Sequence, residues 1–245
     1  LHPRVRRQRQ MCIRDSLLTD RFACSQKAGQ MLFGKSPFTV LPNGIQVDRF
    51  ANPDPVARAK IRAAWQVPES ARLLGHVGRF SEQKNHLGML DIFAAIHARD
   101  PQARLVLIGT GALEQQAREK TAALGLADRV IFAGVRSDTA DCYAAMDAFV
   151  LPSLFEGLPV VLVEAQTAGL PCFVSDTVDR DAAFADGVQF LPLQDPAAWA
   201  EAICASPLTR NPNARQQAED AGYDVRTSAR ILQQFYIKRY AEVNP

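Results

Sequence analysis

Between residues 71 and 193 the chain alternates short apolar runs with stretches in which apolar residues recur every three or four positions. The runs ARLLGHVG (71–78), ARLVLIG (103–109), RVIFAG (129–134), DAFVLPS (147–153), LPCFVSD (170–176) and VQFLPL (188–193) have the length of strands. KNHLGMLDIFAAIHAR (84–99), TGALEQQAREKTAALG (110–125), TADCYAAM (139–146) and a segment from about 159 to Gly169 have helical spacing. Apolar strands separated by amphipathic helices predict a parallel sheet covered on both faces. The fold class is therefore α/β, with a Rossmann-like domain over roughly residues 55–225.

The flanks are less regular. RFACSQKAGQMLF (21–33) reads as the end of a strand followed by a helix that Ser25 can cap. FTVLPNGIQVDRF (38–50) reads as a strand, a Pro-Asn-Gly turn and an extended exit. ANPDP (51–55) carries two prolines that interrupt any periodic element and marks a boundary or linker. A helix over 55–65 follows, and a last helix over 227–243 carries a stripe of Ile231, Leu232, Phe235, Tyr236 and Tyr240. Residues 1–16 are arginine-rich without an apolar period, and MCIRDS resembles a translated sequencing-adapter fragment. They are read as a non-native tail and left out of fold reasoning.

Composition narrows function mainly by exclusion. The 28 basic and 26 acidic residues nearly cancel, so net charge names no partner. The terminal arginines lack interleaved aromatics, and no nucleic-acid partner is expected. Cys12, Cys24, Cys142, Cys172 and Cys204 form no CxxC pair, which predicts reduced thiols without structural zinc, and no metal site is expected. No apolar run is long enough to span a membrane, and a cytoplasmic location is expected.

In a parallel sheet, ligands gather at the carboxyl ends of the strands. GHVGRFSEQKNH (75–86) places Gly78 and Arg79 after the first strand and Lys84 at the opening of the next helix. A flexible turn with two cations suits a diphosphate, although a capped turn with solvated charges fits the same residues. His76 reads as strand core or edge, while Asn85 and His86 read as capping or solvating the helix. Gly109, in GTG, is a weaker signal of the same kind. Neither GxGxxG nor GxxxxGK occurs, which argues against NAD and P-loop readings. In LPSLFEGLPVVLVEAQTAGLPCFVSD (151–176), Leu154–Gly157 forms a crest loop and Pro159 opens a helix. Glu156 and Glu164, one on the loop and one on the helix, are expected to line one pocket. Carboxylates are suitable acceptors for vicinal sugar hydroxyls, and one within an apolar helix needs a partner. Tyr143 and Phe155 have rings that could stack near a base or sugar, but core packing is the reading taken for both.

EGLPVVLVEAQTAGLPC, with seven residues between its two glutamates, resembles the signature of retaining glycosyltransferases of the two-domain GT-B fold. The likeness is to family 4 enzymes of capsule and exopolysaccharide assembly. VLPNGIQVDRF, HVGRFSEQKNH, LVLIGTG, VIFAGVRSD and AFVLPSLFEGLP match in the same order, from about residue 18 onward. The resemblance implies a metal-independent enzyme without a cofactor that takes a sugar from a UDP-linked donor. It gives Arg79 and Lys84 to the diphosphate and Glu156 to the transferred sugar, with Gly78, Gly109, Gly157, Leu158 and Pro159 near phosphate or sugar. Glu164 takes the ribose, and Val135 and Arg136 lie beside the base. Implied acceptors are a glycan or a polyprenyl-linked glycan, with peripheral association at the inner membrane face. Residues 17–50 would be a remnant of an N-terminal acceptor domain, 51–225 the nucleotide-sugar domain, and 226–245 a helix crossing back, whose apolar stripe is a candidate dimer surface. The glycine-rich loop and histidine implied for the acceptor half are not found. Donor binding without turnover, or a UDP-sugar epimerase of related fold, stands as the alternative.

Overall fold

The computed structural model describes residues 20–244; the tail expected at 1–16 lies outside them. The chain divides into two compact units between Pro42 and Asn43. In the first, β1 (Phe22–Ala23) pairs in parallel with β2 (Thr39–Val40), and α1 (Gln26–Phe33) connects them. Ser25 caps α1 by accepting from the amide of Ala28 at 3.1 Å, as its position predicts.

The second unit begins with a departure from expectation. The extended exit expected before residue 50 is instead a single helical turn, α2 (Val47–Phe50). Val47 and Phe50 are both buried, so docking rather than propensity sets this turn. Next comes α3 (Pro55–Ala64), with Asp54 as N-cap and proline in its first turn. The alternating series then runs β3 (Leu73–Val77), α4 (His86–Arg99), β4 (Arg104–Ile108), α5 (Glu114–Ala123), β5 (Val130–Gly134), α6 (Thr139–Ala145), β6 (Ala148–Leu151), α7 (Val160–Thr167), β7 (Cys172–Ser175) and β8 (Val188–Leu191). Beyond the expected elements, the chain adds α8 (Pro196–Ala205) and α9 (Ala214–Asp220) before α10 (Val225–Val243).

The six strands form one parallel sheet in the order β5-β4-β3-β6-β7-β8. The period-two alternation of each strand divides its side chains between two cores. Leu73, Val106, Phe149, Leu151, Cys172 and Val174 join one cluster, with residues of α2, α3, α6 and α7. Leu74, Leu105, Leu107, Val150 and Phe173 join the other, against α4 and α8. Burial on both faces explains why the strands read as continuous apolar runs.

The sheet order reverses between β3 and β6, and there a crevice opens at the carboxyl ends of adjacent strands. The loops leaving these strands, 78–85 and 152–159, are fastened to each other. The Leu154 amide donates to the Gln83 carbonyl at 2.8 Å, and Asn85 Nδ2 donates to the Pro152 carbonyl at 3.1 Å. Asn85 also caps α4 from a left-handed conformation, φ 53°.

Candidate functional site

The loop after β3 carries the exposed Arg79 and then a single helical turn over Glu82–Lys84. This turn aims Lys84 across the crevice. Its Nζ donates to Glu156 Oε1 at 2.6 Å, and Gln83 Nε2 donates to Oε2 of the same carboxylate at 3.1 Å. Gln83 Nε2 also reaches the Phe155 carbonyl at 3.1 Å. The Glu156 and Lys84 side chains are only 7% and 16% exposed, so the ion pair is shielded from bulk water. An ammonium has three donors, so Lys84 can hold Glu156 and still offer N–H groups to an anion.

A cavity of about 950 Å³ lies over this pair, with Arg79, Lys84, Thr110, Gly111 and Phe155 in its wall. Glu156 meets this wall through Lys84 and Gln83, which line the cavity and hold its two oxygens. Phe155 departs from its expected place in the core, because it is 62% exposed at the mouth of the site.

Gly78 and Gly109 hold the ends of neighbouring strands together. The Gly78 amide donates to Ile108 O and the Gly109 amide to Gly134 O, so both continue the sheet ladder. Gly109 has φ +135°, and a Cβ there would lie 2.1 Å from the Gly78 carbonyl oxygen. Glycine is required for these backbones to approach. Among the described residues no backbone hydrogen bond uses the amides of Arg79 or Gly111, which leaves those N–H groups for a ligand. Gly157 has open space around it and Leu158 is half-buried, while the buried Pro159 sits at the N-cap of α7.

Glu164 lies within α7. Its Oε2 accepts from the hydroxyl of Tyr143 at 3.0 Å, which supplies the partner that an apolar helix demands. Burial raises the Glu164 carboxyl above the usual range, while the Tyr143 hydrogen bond and the nearby Arg49 charge oppose this. Arg49, on α2, donates to the Ser137 carbonyl at 2.6 Å. It thereby ties α2 to the loop containing Val135, which is 76% exposed, and Arg136, which is paired with Asp138. Arg49 and Gln83 carried no signal in the sequence, and Tyr143 was noticed for its ring rather than its hydroxyl. Their partners are distant in the chain, and a lone polar residue in an amphipathic pattern looks like surface.

Beneath the Lys84 loop, His86 stacks on Phe80 with centroids 3.9 Å apart and meets His76 edge-on at 4.8 Å. His86 is buried, contrary to the capping or solvating position expected of it. Burial and the Lys84 charge lower its pKa to about 4, so the ring is neutral at pH 7. His76 is lowered in the same direction, first by burial, and hydrogen-bonds the Val150 carbonyl at 2.9 Å. Among the described residues no group of three or more His, Cys, Asp or Glu is placed to hold a metal ion.

A parallel sheet with its crevice at the β3/β6 reversal, and cationic and carboxylate side chains from both loops, defines a Rossmann-like domain of the GT-B kind. The family model for glycosyl transferases group 1 matches residues 71–206. The chain belongs to that family. It is 36% identical over 224 residues to EpsF of Bacillus subtilis (strain 168), an alignment covering 87% of this chain and 58% of EpsF. It is 32% identical over 141 residues to the UDP-Gal:alpha-D-GlcNAc-diphosphoundecaprenol alpha-1,3-galactosyltransferase of Escherichia coli, covering 56% of this chain and 36% of that enzyme. Its fold is similar to that of sucrose-phosphate synthase from Thermosynechococcus elongatus, with a TM-score of 0.77 at 24% identity over 96% of this chain and 62% of the other. The chain thus spans little more than half the length of EpsF and about a third of the galactosyltransferase.

Proposed function

We propose that this chain carries the donor-binding machinery of a retaining glycosyltransferase in polysaccharide biosynthesis. It would move a hexosyl or N-acetylhexosaminyl group from a UDP-sugar to a glycan or lipid-linked acceptor on the cytoplasmic side of the membrane. The observation that carries the reading is the Lys84–Glu156 pair, built from loops on either side of the sheet reversal and roofed by a cavity with Arg79 in its wall.

In this reading Arg79 and the free N–H groups of Lys84 hold the diphosphate. As the glycosidic bond breaks, negative charge grows on the departing nucleotide, and these fixed cations stabilise it in place of a metal. The N-terminus of α7, behind Gly157, Leu158 and Pro159, adds a weaker positive field. Glu156, its carboxylate oriented by Gln83 and Lys84, accepts from hydroxyls of the transferred sugar. Glu164 accepts from the ribose, and the loop at Val135 and Arg136 borders the base. The tie from Arg49 to Ser137 supports that neighbourhood, because the same Arg49 exerts its charge on Glu164. Retention follows from attack on the face the nucleotide leaves, with no covalent intermediate assigned to Glu156.

Calorimetric titration with UDP, UDP-glucose, UDP-N-acetylglucosamine and GDP, in chelator, tests the proposal. Uridine-nucleotide binding weakened roughly tenfold or more by Arg79→Ala and by Glu164→Ala is expected, the scale of a lost charge-assisted hydrogen bond. Selective GDP binding would change the base, and binding indifferent to both substitutions would sink the site.

A further inference from the structure

Tyr143 is wholly buried on α6, yet its hydroxyl emerges at α7. It lies 3.0 Å from Glu164 Oε2 and 3.1 Å from the Val161 carbonyl. The ring is wedged between Phe50, at 5.8 Å, and Phe149, at 5.9 Å. Its own carbonyl is held by Arg210 at 2.9 Å. The hydroxyl is therefore fixed in space before any ligand arrives. Glu164 is only partly buried, and among the described residues no hydrogen bond reaches its Oε1. One carboxylate oxygen is anchored and the other is left open.

We infer that Tyr143 is a positioning residue for nucleotide recognition, its hydroxyl holding Glu164 so that the open oxygen accepts from the vicinal hydroxyls of a ribose. This rests on the reading of Glu164 as the ribose acceptor and adds the group that makes it selective. A free glutamate side chain loses rotamer entropy on binding, whereas an anchored one has already lost it. A tyrosine hydroxyl is a donor to an ionised carboxylate, so it also favours the charge state that accepts two hydroxyls. Without it, burial acts on Glu164 opposed only by Arg49, and the carboxyl protonates at higher pH.

The experiment compares UDP with 2′-deoxy-UDP on the full chain and on the Tyr143→Phe and Glu164→Gln variants. Thermal melting verifies that each is folded; phenylalanine preserves the ring's packing. The wild-type chain is expected to prefer UDP by roughly tenfold. Loss of most of that preference in both variants supports the inference. Loss in Glu164→Gln but not in Tyr143→Phe overturns the inference and leaves the ribose reading standing. A preference that survives Glu164→Gln, or no UDP binding by the wild type, overturns the reading and the inference with it.

A second readout separates positioning from simple packing. UDP-glucose binding is followed against pH, since its diester phosphates take up no proton near neutrality. The acid-side loss of binding should move to higher pH in Tyr143→Phe, and an unmoved profile counts against the inference.

Discussion

Both oxygens of Glu156 are occupied from within the chain, by Lys84 on one side and Gln83 on the other. A carboxylate held at both ends has a defined orientation, which an isolated glutamate on a loop lacks. His86 shows a different residue-scale effect. It is packed against Phe80 and below Lys84, and its pKa of about 4 lies well under the 6.5 of an unfolded histidine. Above pH 6.5 the ring is neutral in both states, and the stability is fully present. As pH falls from 6.5 towards 4, the unfolded chain takes up a proton that the folded chain refuses, so stability is lost across that window. His86 should contribute a loss of roughly 2 kcal/mol between pH 7 and pH 5, with His76 adding in the same sense. Urea unfolding at the two pH values measures it. His86→Phe, which keeps an aromatic against Phe80, should flatten the dependence. An unchanged slope would mean that the ring is hydrated in solution. The buried Cys142 and Cys172 thiols are both raised by desolvation, as expected of core filler.

At the scale of elements, the strands and the helices between them were legible because each is buried against the sheet and its apolar spacing records that burial. The exceptions have physical reasons. Pro196–Ala205 is almost entirely small or apolar, so it shows no polar face to mark a helix, although Asp195 and Pro196 are an ordinary start signal. Ala214–Asp220 is short and mostly polar, and only Ala214 and Ala218 face inward. Val47–Phe50 is too short to be helical by itself and is made so by burying its two ends. Gly109 marks the exit of β4, and its meaning depends on β3 lying alongside. Gly109→Ala should drive a methyl group into the Gly78 carbonyl and impose a positive φ on alanine. A destabilisation of about 2 kcal/mol or more is expected, read as a lowered urea midpoint at unchanged slope. A midpoint equal to wild type would mean that this loop relaxes freely.

At the scale of the whole molecule, the other described residues leave one long helix largely uncovered. Along α10 only Ser228 is buried, and Ile231, Tyr236, Ile237, Tyr240 and Val243 are exposed. An apolar face of this kind favours association. Concentration-dependent self-association is expected by light scattering, and Ile237→Glu together with Tyr240→Glu should suppress it without changing the melting temperature. A chain that stays monomeric at high concentration would refute that use of the face. Among the described residues no helix is long and apolar enough to cross a membrane, α10 included.

The sequence by itself determined most of the elements and the charged residues they carry. Apolar runs and helical spacing are local consequences of burial; Arg79, Lys84 and Glu156 are conspicuous in the loops that leave the strands, and Glu164 in the helix that follows. Strand order was beyond it, because pairing between distant segments leaves no mark in either one. Only when β3 and β6 lie side by side does Lys84 meet Glu156 across 72 positions of chain. The same packing gives Glu164 the hydroxyl of Tyr143, a partner which no spacing announced. The two glutamates share a motif, but the sheet assigns them to different partners.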